Sequence, residues 1–220
     1  MAKLTWDDTG KRFYETGVKN VALYVYDATQ KQYKNGVAWN GVTAISESPS
    51  GAEPTALYAD DMKYLNLLSA EEFAASIEAY TYPDEFAECD GSASLAKGVI
   101  IGQQTRSKFA LAYKTTVGND EAGNSFGYKL HIIYNCLAAP SEKAYNTIND
   151  SPEAITFSWE ISTTPVKFTA DSKEYTTACV TIDSRTADPT KLAALEDKLF
   201  GETPALVLPD QIYTDMKSSL

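Results

Sequence analysis

Two pairs of adjacent carboxylates are the residues of this sequence best suited to acid–base chemistry. They are Glu71 with Glu72 and Asp84 with Glu85. Two carboxylates that flank a glycosidic bond can hydrolyse it. Neighbouring residues on a strand, however, point to opposite faces, so Glu71 and Glu72 could not act on one bond. We therefore interpret these acids as solvated surface residues, and we predict no catalytic residue and no enzymatic activity.

One histidine and three cysteines are the other residues that could act as bases, nucleophiles or metal ligands. His131 lies in an apolar, strand-like run, which favours a buried or interfacial histidine. Cys89, Cys136 and Cys179 are far apart and include no CxxC pair, so they indicate reduced thiols and not a disulfide framework. These few residues cannot supply the convergent ligands of a typical zinc site. We predict no metal and no cofactor.

Negative charge is concentrated in one stretch of the chain, residues 46–90. This stretch contains eleven acids and the single base Lys63, whereas the other 175 residues contain 19 acids and 18 bases. Charge of one sign confined to one stretch creates a local field. Whatever contacts this surface is therefore either cationic or an anion that must not bind. The acids are Glu47, Glu53, Asp60, Asp61, Glu71, Glu72, Glu78, Asp84, Glu85, Glu88 and Asp90.

Seven segments have the composition of β-strands, because they are rich in β-branched and aromatic residues and bounded by Gly, Pro, Asn or Asp. They are residues 21–26, 36–45, 73–81, 108–117, 128–137, 155–163 and 178–183. This pattern predicts an all-β fold, a sandwich or a barrel. Residues 117–127 are rich in Asn, Asp and Gly and predict an extended hairpin tip. The two strands that flank this tip should be antiparallel neighbours.

Two helices are predicted beside the strands. Residues 188–200 have Asp188 as N-cap and Gly201 as the stop, and they should form a helix that packs on the side of the sheet. The apolar face of this helix consists of Leu192, Leu195 and Leu199. Residues 83–89 predict a shorter helix, in which Phe86 is an apolar plug against the sheet.

A long connector, residues 46–61, separates two of the predicted strands. Prolines and a glycine disfavour regular structure in its first half, whereas its second half is partly apolar. Loops of this length are usually functional or disordered. An arm over residues 46–63 that packs on another subunit explains both halves, and a surface loop folded back on its own domain is the alternative. The candidate inter-subunit residues are Pro49, Glu53, Pro54, Leu57, Tyr58, Asp60 and Asp61.

Alternation along three of the predicted strands indicates which side chains face the core. On each strand, a stripe of bulky apolar residues lies on one face, and a stripe of short polar residues and charged residues lies on the other. The second stripe is what the wetted wall of a channel requires, and its charged residues are Glu72, Glu78, Glu160, Lys108 and Lys114. An ordinary half-exposed sheet, with cross-strand ion pairs such as Glu78 with Lys114, gives the same pattern.

Four phrases of the sequence resemble, in order, the major tail protein (tail tube protein) of long-tailed, non-contractile bacteriophages. They are GVAWNGVTAISESPSGAEPTALYADDMKYLNLLSAEEFAASIEAYTYPDEF (residues 36–86), QQTRSKFALAYKTTVGND (103–120), GYKLHIIYN (127–135) and PSEKAYNTINDSPEAITFSWEISTTPV (140–166). None of them is a catalytic signature. Their number and order carry the resemblance, which covers most of the chain.

The resemblance implies a single domain over residues 1–220 with a β-sandwich or barrel core of the tail tube type. Around this core we expect an N-terminal extension (1–17), the arm, the side helix and a C-terminal extension (202–220). It also implies assembly in the cytoplasm of the bacterial host into rings, usually of six subunits, which stack into the genome conduit of the virion. The implied partners are other copies of the chain, the tape measure protein, a tail terminator and the distal tail or baseplate proteins, without a cofactor or a membrane.

An acidic lumen suits a genome conduit, because lysine and arginine facing DNA would release counterions and bind it. DNA would then pass without specific binding, although the same acids could instead lie between stacked rings. The inner tube of a contractile tail or phage-derived injection device is a related alternative. A non-catalytic carbohydrate-binding sandwich, with Trp6, Trp39 and Trp159 as stacking rings, is a more distant one.

Overall fold

Strands make up most of the regular structure, as the sequence predicts. The computed structural model describes residues 4–148, 150 and 154–217. All seven predicted strands are present beside a C-terminal helix, so the all-β class with a flanking helix is confirmed. The strands are β1 (Phe13–Asp27), β2 (Gln32–Tyr33), β3 (Val37–Ala38), β4 (Val42–Glu47), β5 (Ser50–Gly51), β6 (Pro54–Ala59), β7 (Met62–Leu68), β8 (Glu71–Glu72), β9 (Ala74–Ala79), β10 (Ala93–Ala96), β11 (Val99–Ile101), β12 (Phe109–Asn119), β13 (Gly123–Ala138), β14 (Phe157–Thr163), β15 (Val166–Ala170), β16 (Lys173–Thr177) and β17 (Cys179–Asp183), and the helices are α1 (Pro189–Phe200), α2 (Pro209–Met216) and a 3₁₀ helix (Asp84–Glu88).

Several boundaries differ from the prediction for local reasons. Strand β1 begins at Phe13, so residues 13–17 of the predicted N-terminal extension lie in the sheet, opposite β12. A turn at Gly41, whose φ is +79°, divides the predicted strand 36–45 into β3 and β4. Strands β12 and β13 pair up to Asn119 and Gly123, so the predicted extended tip is a turn of residues 120–122.

Nine strands form one antiparallel sheet that curls around an interior. Seven of them follow the order β2, β1, β12, β13, β14, β9, β4, while β3 pairs with β1 and β17 pairs with β13. Strand β3 thus lies at one end of the order, and β4, which begins four residues later, forms the other end. The short connection between β3 and β4 brings the two ends of the sheet together.

The interior of the curled sheet is apolar and is closed by the short helix. Inward-facing side chains of β1, β9, β12, β13 and β14 form one buried cluster. The predicted plug, Phe86, is fully buried in it, with its ring centroid 4.5 Å from that of Trp39 and 5.1 Å from that of Trp159. The predictions for residues 83–89 and for Phe86 are confirmed.

Helices α1 and α2 cover the outer face of β1, β12 and β13. The carboxylate of Asp188 accepts hydrogen bonds from the backbone N–H groups of Thr190 and Lys191 at 2.9 and 3.1 Å, which is the predicted N-cap. The three predicted leucines, Leu192, Leu195 and Leu199, are buried against outward-facing alanines, tyrosines and branched residues of the sheet. This half of the sheet is therefore buried on both faces.

Helix α2 corrects the prediction for the C-terminus. Residues 202–220 were expected to be an extension, but Ile212 of α2 and the preceding Val207 are buried in the cluster beneath α1. The Tyr134 hydroxyl also donates a hydrogen bond to the carbonyl of Val207 at 2.9 Å. The signals for this helix are Pro209 at its first position and the four-residue spacing of Ile212 and Met216, both of which the sequence analysis missed.

Helix α1 should contribute strongly to the stability of the monomer. Because Leu195 is buried between the helix and the sheet, Leu195→Ala should lower the free energy of unfolding by about 2–5 kcal/mol, as other large-to-small core substitutions do. Leu67→Ala, at an exposed leucine, is the matched control and should change it by less than about 0.5 kcal/mol. Equal unfolding midpoints of the two variants in urea would show that α1 is not docked.

Candidate assembly surfaces

The predicted arm is a β-hairpin. Strands β6 and β7 pair from Pro54–Leu68 to Ala59–Met62, and β5 pairs with β8 below them. The expectation that the first half of residues 46–61 lacks regular structure is wrong, because β5 lies in it and β6 begins at Pro54. The arm also extends beyond residue 63. The turn of the hairpin consists of Asp60 and Asp61, both with positive φ, which is the backbone geometry of a tight hairpin turn. We call residues 48–72 the arm.

Large apolar side chains are exposed on both faces of the arm. Leu57 lies opposite Leu65 on one face, and Tyr64 and Leu68 alternate with them on the other. The exposed fractions of the seven large apolar side chains of the arm lie between 41% and 73%. In the described part of the chain, no side chain of the arm belongs to either buried cluster or forms an ion pair.

The base of the arm is held by backbone pairing and by one glycine. Ser50 pairs with Glu72 and Gly51 with Glu71. Gly51 has a φ of +82°, and a Cβ atom at this position would collide with the carbonyl oxygen of Ala70. Of the predicted arm residues, Pro49 and Glu53 lie in the short segments on either side of β5. The structure thus places all seven predicted residues in or beside the hairpin.

A second candidate surface is the outer face of β4, β9 and β14, which no helix covers. Glu78 lies opposite Ser158, and Glu160 lies opposite Ser76, so both carboxylates are on the same face. Both are exposed. The rest of this face is made of small side chains, namely Ala44, Ser46, Ala74, Ser76, Ser158 and Ser162. We call it the polar face.

The other predicted wall residues do not share the polar face. Glu72 lies in β8 at the base of the arm, and Lys108 is exposed immediately before β12. Lys114 lies beneath α1, where its Nζ is 2.8 Å from Oε2 of Glu196, so the suggested ion pair with Glu78 is wrong. The stripe of β12 that was expected to be wetted contains Ala110 and Ala112, which are fully buried by the helices. Within this chain, Lys114 is therefore not an exposed wall residue.

The single histidine lies in a polar cluster just inside the root of the arm. The Nδ1 atom of His131 is 3.5 Å from Oε1 of Glu47, the last residue of β4, and its ring stacks on Tyr113 at 4.8 Å. The hydroxyls of Thr115 and Thr181 lie 2.9 and 3.2 Å from its two ring nitrogens. Burial lowers the pKa of His131, against the opposing effect of Glu47. Sequence patterning predicted the strand position but not this cluster.

Glu47 also accepts a hydrogen bond from the Tyr113 hydroxyl at 2.8 Å. Burial, and then the bond to Glu47, raise the pKa of Tyr113, so this phenol keeps its proton. The contact fixes the end of β4 at the point where the arm leaves the sheet.

Two of the three possible stacking tryptophans are core residues. Trp39 and Trp159 are buried, and their indole N–H groups donate to the carbonyl of Thr81 at 2.8 Å and to Oδ1 of Asp90 at 3.0 Å. Only Trp6 of the three is exposed. This arrangement removes the main basis of the carbohydrate-binding alternative.

All three cysteines are free thiols, and burial raises the pKa of each.

Within residues 4–148, 150 and 154–217, no group of His, Cys, Asp and Glu side chains converges as a metal site would require. No helix in the same ranges has the length and hydropathy needed to cross a membrane.

Comparisons with known proteins add little to this description. No family model and no curated protein matches the chain. A similar solved structure is a chain of the cryo-EM structure of the anti-feeding prophage (AFP) baseplate, 6-fold symmetrised, with 8% sequence identity. The similarity covers 81% of this chain and 97% of that chain, with a TM-score of 0.38. At this TM-score it carries no argument about function.

The buried histidine should make the monomer less stable below pH 6.5. Because the pKa of His131 is lowered in the folded chain, the unfolded chain, with a pKa of about 6.5, binds a proton first as the pH falls. The free energy of unfolding should then fall by up to about 1.4 kcal/mol per pH unit between the unfolded and the folded pKa. His131→Gln should flatten this dependence in urea titrations at pH 7.5 and 5.5. An equally steep loss in the variant would assign the effect to other groups.

Proposed function

We propose that this chain is a structural subunit of a phage tail tube, which self-assembles into rings of six that stack into a conduit for the genome. The observation that carries the proposal is the arm, a hairpin whose apolar side chains are exposed on both faces. The resemblance of four ordered phrases to tail tube proteins supports it, as does the curled all-β core.

The arm needs a partner for physical reasons. A two-stranded hairpin is at best marginally stable in water when nothing packs on it. Monomeric proteins also rarely expose contiguous apolar patches larger than a few hundred Å². Insertion of the arm against a neighbouring copy would bury both faces and stabilise the hairpin itself. Ordering and assembly would then be coupled.

The polar face is suited to the wall of a genome conduit. Glu78 and Glu160 are its charged residues among those the structure describes, and the other side chains of this face within β4, β9 and β14 are short. The exposed Tyr80 follows at the end of β9. Carboxylates repel DNA phosphates, whereas cations at these positions would bind them with release of counterions. We propose that this face lines the lumen and that DNA passes without specific binding.

The remaining parts of the proposal come from the resemblance. They are a role in the virion after assembly in the bacterial cytoplasm, contact with a tape measure protein inside the tube, with a terminator at one end and with distal tail or baseplate proteins at the other, and no catalysis and no cofactor.

Removal of the arm should abolish assembly without unfolding the chain. Deletion of residues 54–68 leaves Ala52, Glu53, Ser69 and Ala70 as a short loop on the β5–β8 pair, outside both buried clusters. The thermal unfolding midpoint should therefore stay close to that of the full chain. Negative-stain microscopy should show filaments for the full chain and none for the deletion. Filaments of normal length from the deletion would refute the role of the arm.

Reversing the charge of the polar face should make the tube bind DNA. Glu78→Lys with Glu160→Lys alters exposed side chains, so folding and polymerisation should change little. Tubes of this variant should retain DNA in co-sedimentation, most strongly at low salt, and particles that carry it should eject their genome slowly.

The matched control for this variant is Glu174→Lys with Glu202→Lys, which makes the same charge change at exposed positions outside the polar face. It separates binding in the lumen from binding to the outside of the tube. Equal ejection rates for the two double variants would contradict the lumen assignment. Loss of polymerisation in the first variant alone would place the polar face at a subunit contact.

A further inference from the structure

A second hairpin, β10–β11, also exposes apolar side chains. Leu95, Val99 and Ile100 are 51% to 69% exposed, and none of them belongs to either buried cluster. The turn is formed by Lys97 and Gly98, with Gly98 at a φ of +78°. No strand or site was predicted for this segment from the sequence, and it belongs neither to the polar face nor to the arm.

The base of this hairpin is firmly held, unlike its tip. Asp90 and Arg106 flank the hairpin in sequence, and a guanidinium nitrogen of Arg106 is 3.8 Å from Oδ1 of Asp90. The Asp90 side chain is 7% exposed. Asp90 also binds Nζ of Lys143 at 2.5 Å, and Arg106 donates a hydrogen bond to the carbonyl of Ala138 at 3.2 Å. Between these residues, the N–H of Gln104 donates to the carbonyl of Gly91 at 2.9 Å. The exposed tip is therefore presented in a defined position.

The two hairpins are opposite in charge. The arm contains five acids and the single base Lys63, whereas residues 91–108 contain three bases and no acid. Within the hairpin itself, Lys97 at the turn is the charged residue. Of the two bases that follow the hairpin, Arg106 is paired with Asp90, and Lys108 is exposed immediately before β12, where its carbonyl accepts a hydrogen bond from the N–H of Tyr26. At the arm, Asp60 and Asp61 form the turn and are exposed. Apolar side chains framed by opposite charges are what complementary halves of one interface require.

We propose that the arm of one copy docks on the β10–β11 hairpin of a second copy, with its acids facing Lys97 and Lys108. The inference rests on the proposed function, since it names the receptor for the arm in the assembly. Both hairpins remain exposed within one chain, so the contact joins two copies. Because it joins two different surfaces, it is heterologous, and repetition of it produces a closed ring or an open filament and not a symmetric dimer.

Cross-linking tests the contact directly. Unlabelled and nitrogen-15-labelled full-length chains are mixed, assembled and treated with a carbodiimide, which joins carboxylates to amines that are already in contact. Mass spectrometry should find mixed-isotope peptides that link Asp60 or Asp61 to Lys97 or Lys108. Mixed-isotope links from the arm to lysines elsewhere, such as Lys31 or Lys173, would overturn this inference and leave the tail tube proposal intact. Assembly without any mixed-isotope link from the arm would overturn it too, and absence of assembly would overturn both.

Charge reversal gives an independent test. Lys97→Glu with Lys108→Glu should raise the concentration needed for assembly by roughly tenfold or more, because like charges would then face each other. Combination with Asp60→Lys and Asp61→Lys should restore assembly. Lys31→Glu, at an exposed turn, is the control and should assemble as the natural chain does. Thermal unfolding of each variant monitors the fold, and the inference is wrong if the reversed lysines assemble normally or if the combination does not rescue them.

Discussion

The curled sheet has two halves, one with β1, β12 and β13 and the other with β14, β9 and β4. The packing of Phe86 against Trp39 and Trp159 holds these halves together. Strands β13 and β14, which join the halves, pair over only three residues, 136–138. Backbone hydrogen bonds over so short a ladder cannot fix the relative position of two sheets. The aromatic rings meet mainly edge to face at centroid distances of about 5 Å, the arrangement that such rings favour. The shape of the interior, and therefore which outer faces are left open, depends on this cluster.

The two halves then differ in what covers them, and the sequence could predict only part of that difference. The seven strands and helix α1 follow from local patterns of residues, and the sequence predicted them. The outer stripes of β12 and β14 look alike in sequence, because alanine and serine are small enough either to face water or to let a helix approach. Ala110 and Ala112 are covered by α1 and α2, whereas Ser158 and Ser162 of β14 are exposed. Contacts between segments that are distant in sequence decide whether such a stripe is covered or exposed, and the periodicity of the sequence does not predict those contacts.

The arm illustrates a second limit. Its position was predicted from prolines, a glycine and apolar residues in a long connector, but its hairpin was not, because a hairpin that exposes apolar residues on both faces lacks the alternation that indicates a half-buried strand. Asp60 and Asp61 occupy a turn for which glycine or asparagine is the usual signal. Likewise, the contact of His131 with Glu47 joins β13 to β4 across the interior, and such a contact follows from the curl of the sheet.

Exposed hairpins are a hazard for any soluble chain, because unpaired strand edges with apolar side chains aggregate. Charge offsets that hazard here. Two arms repel each other, since each carries an excess of acids, and two β10–β11 hairpins repel each other through Lys97 at their turns. Association between like hairpins is disfavoured by this repulsion, whereas association between unlike hairpins is favoured by attraction and by burial of apolar surface. Because the residues concerned lie outside both buried clusters, their charges can set the specificity of assembly without affecting the packing that stabilises the monomer.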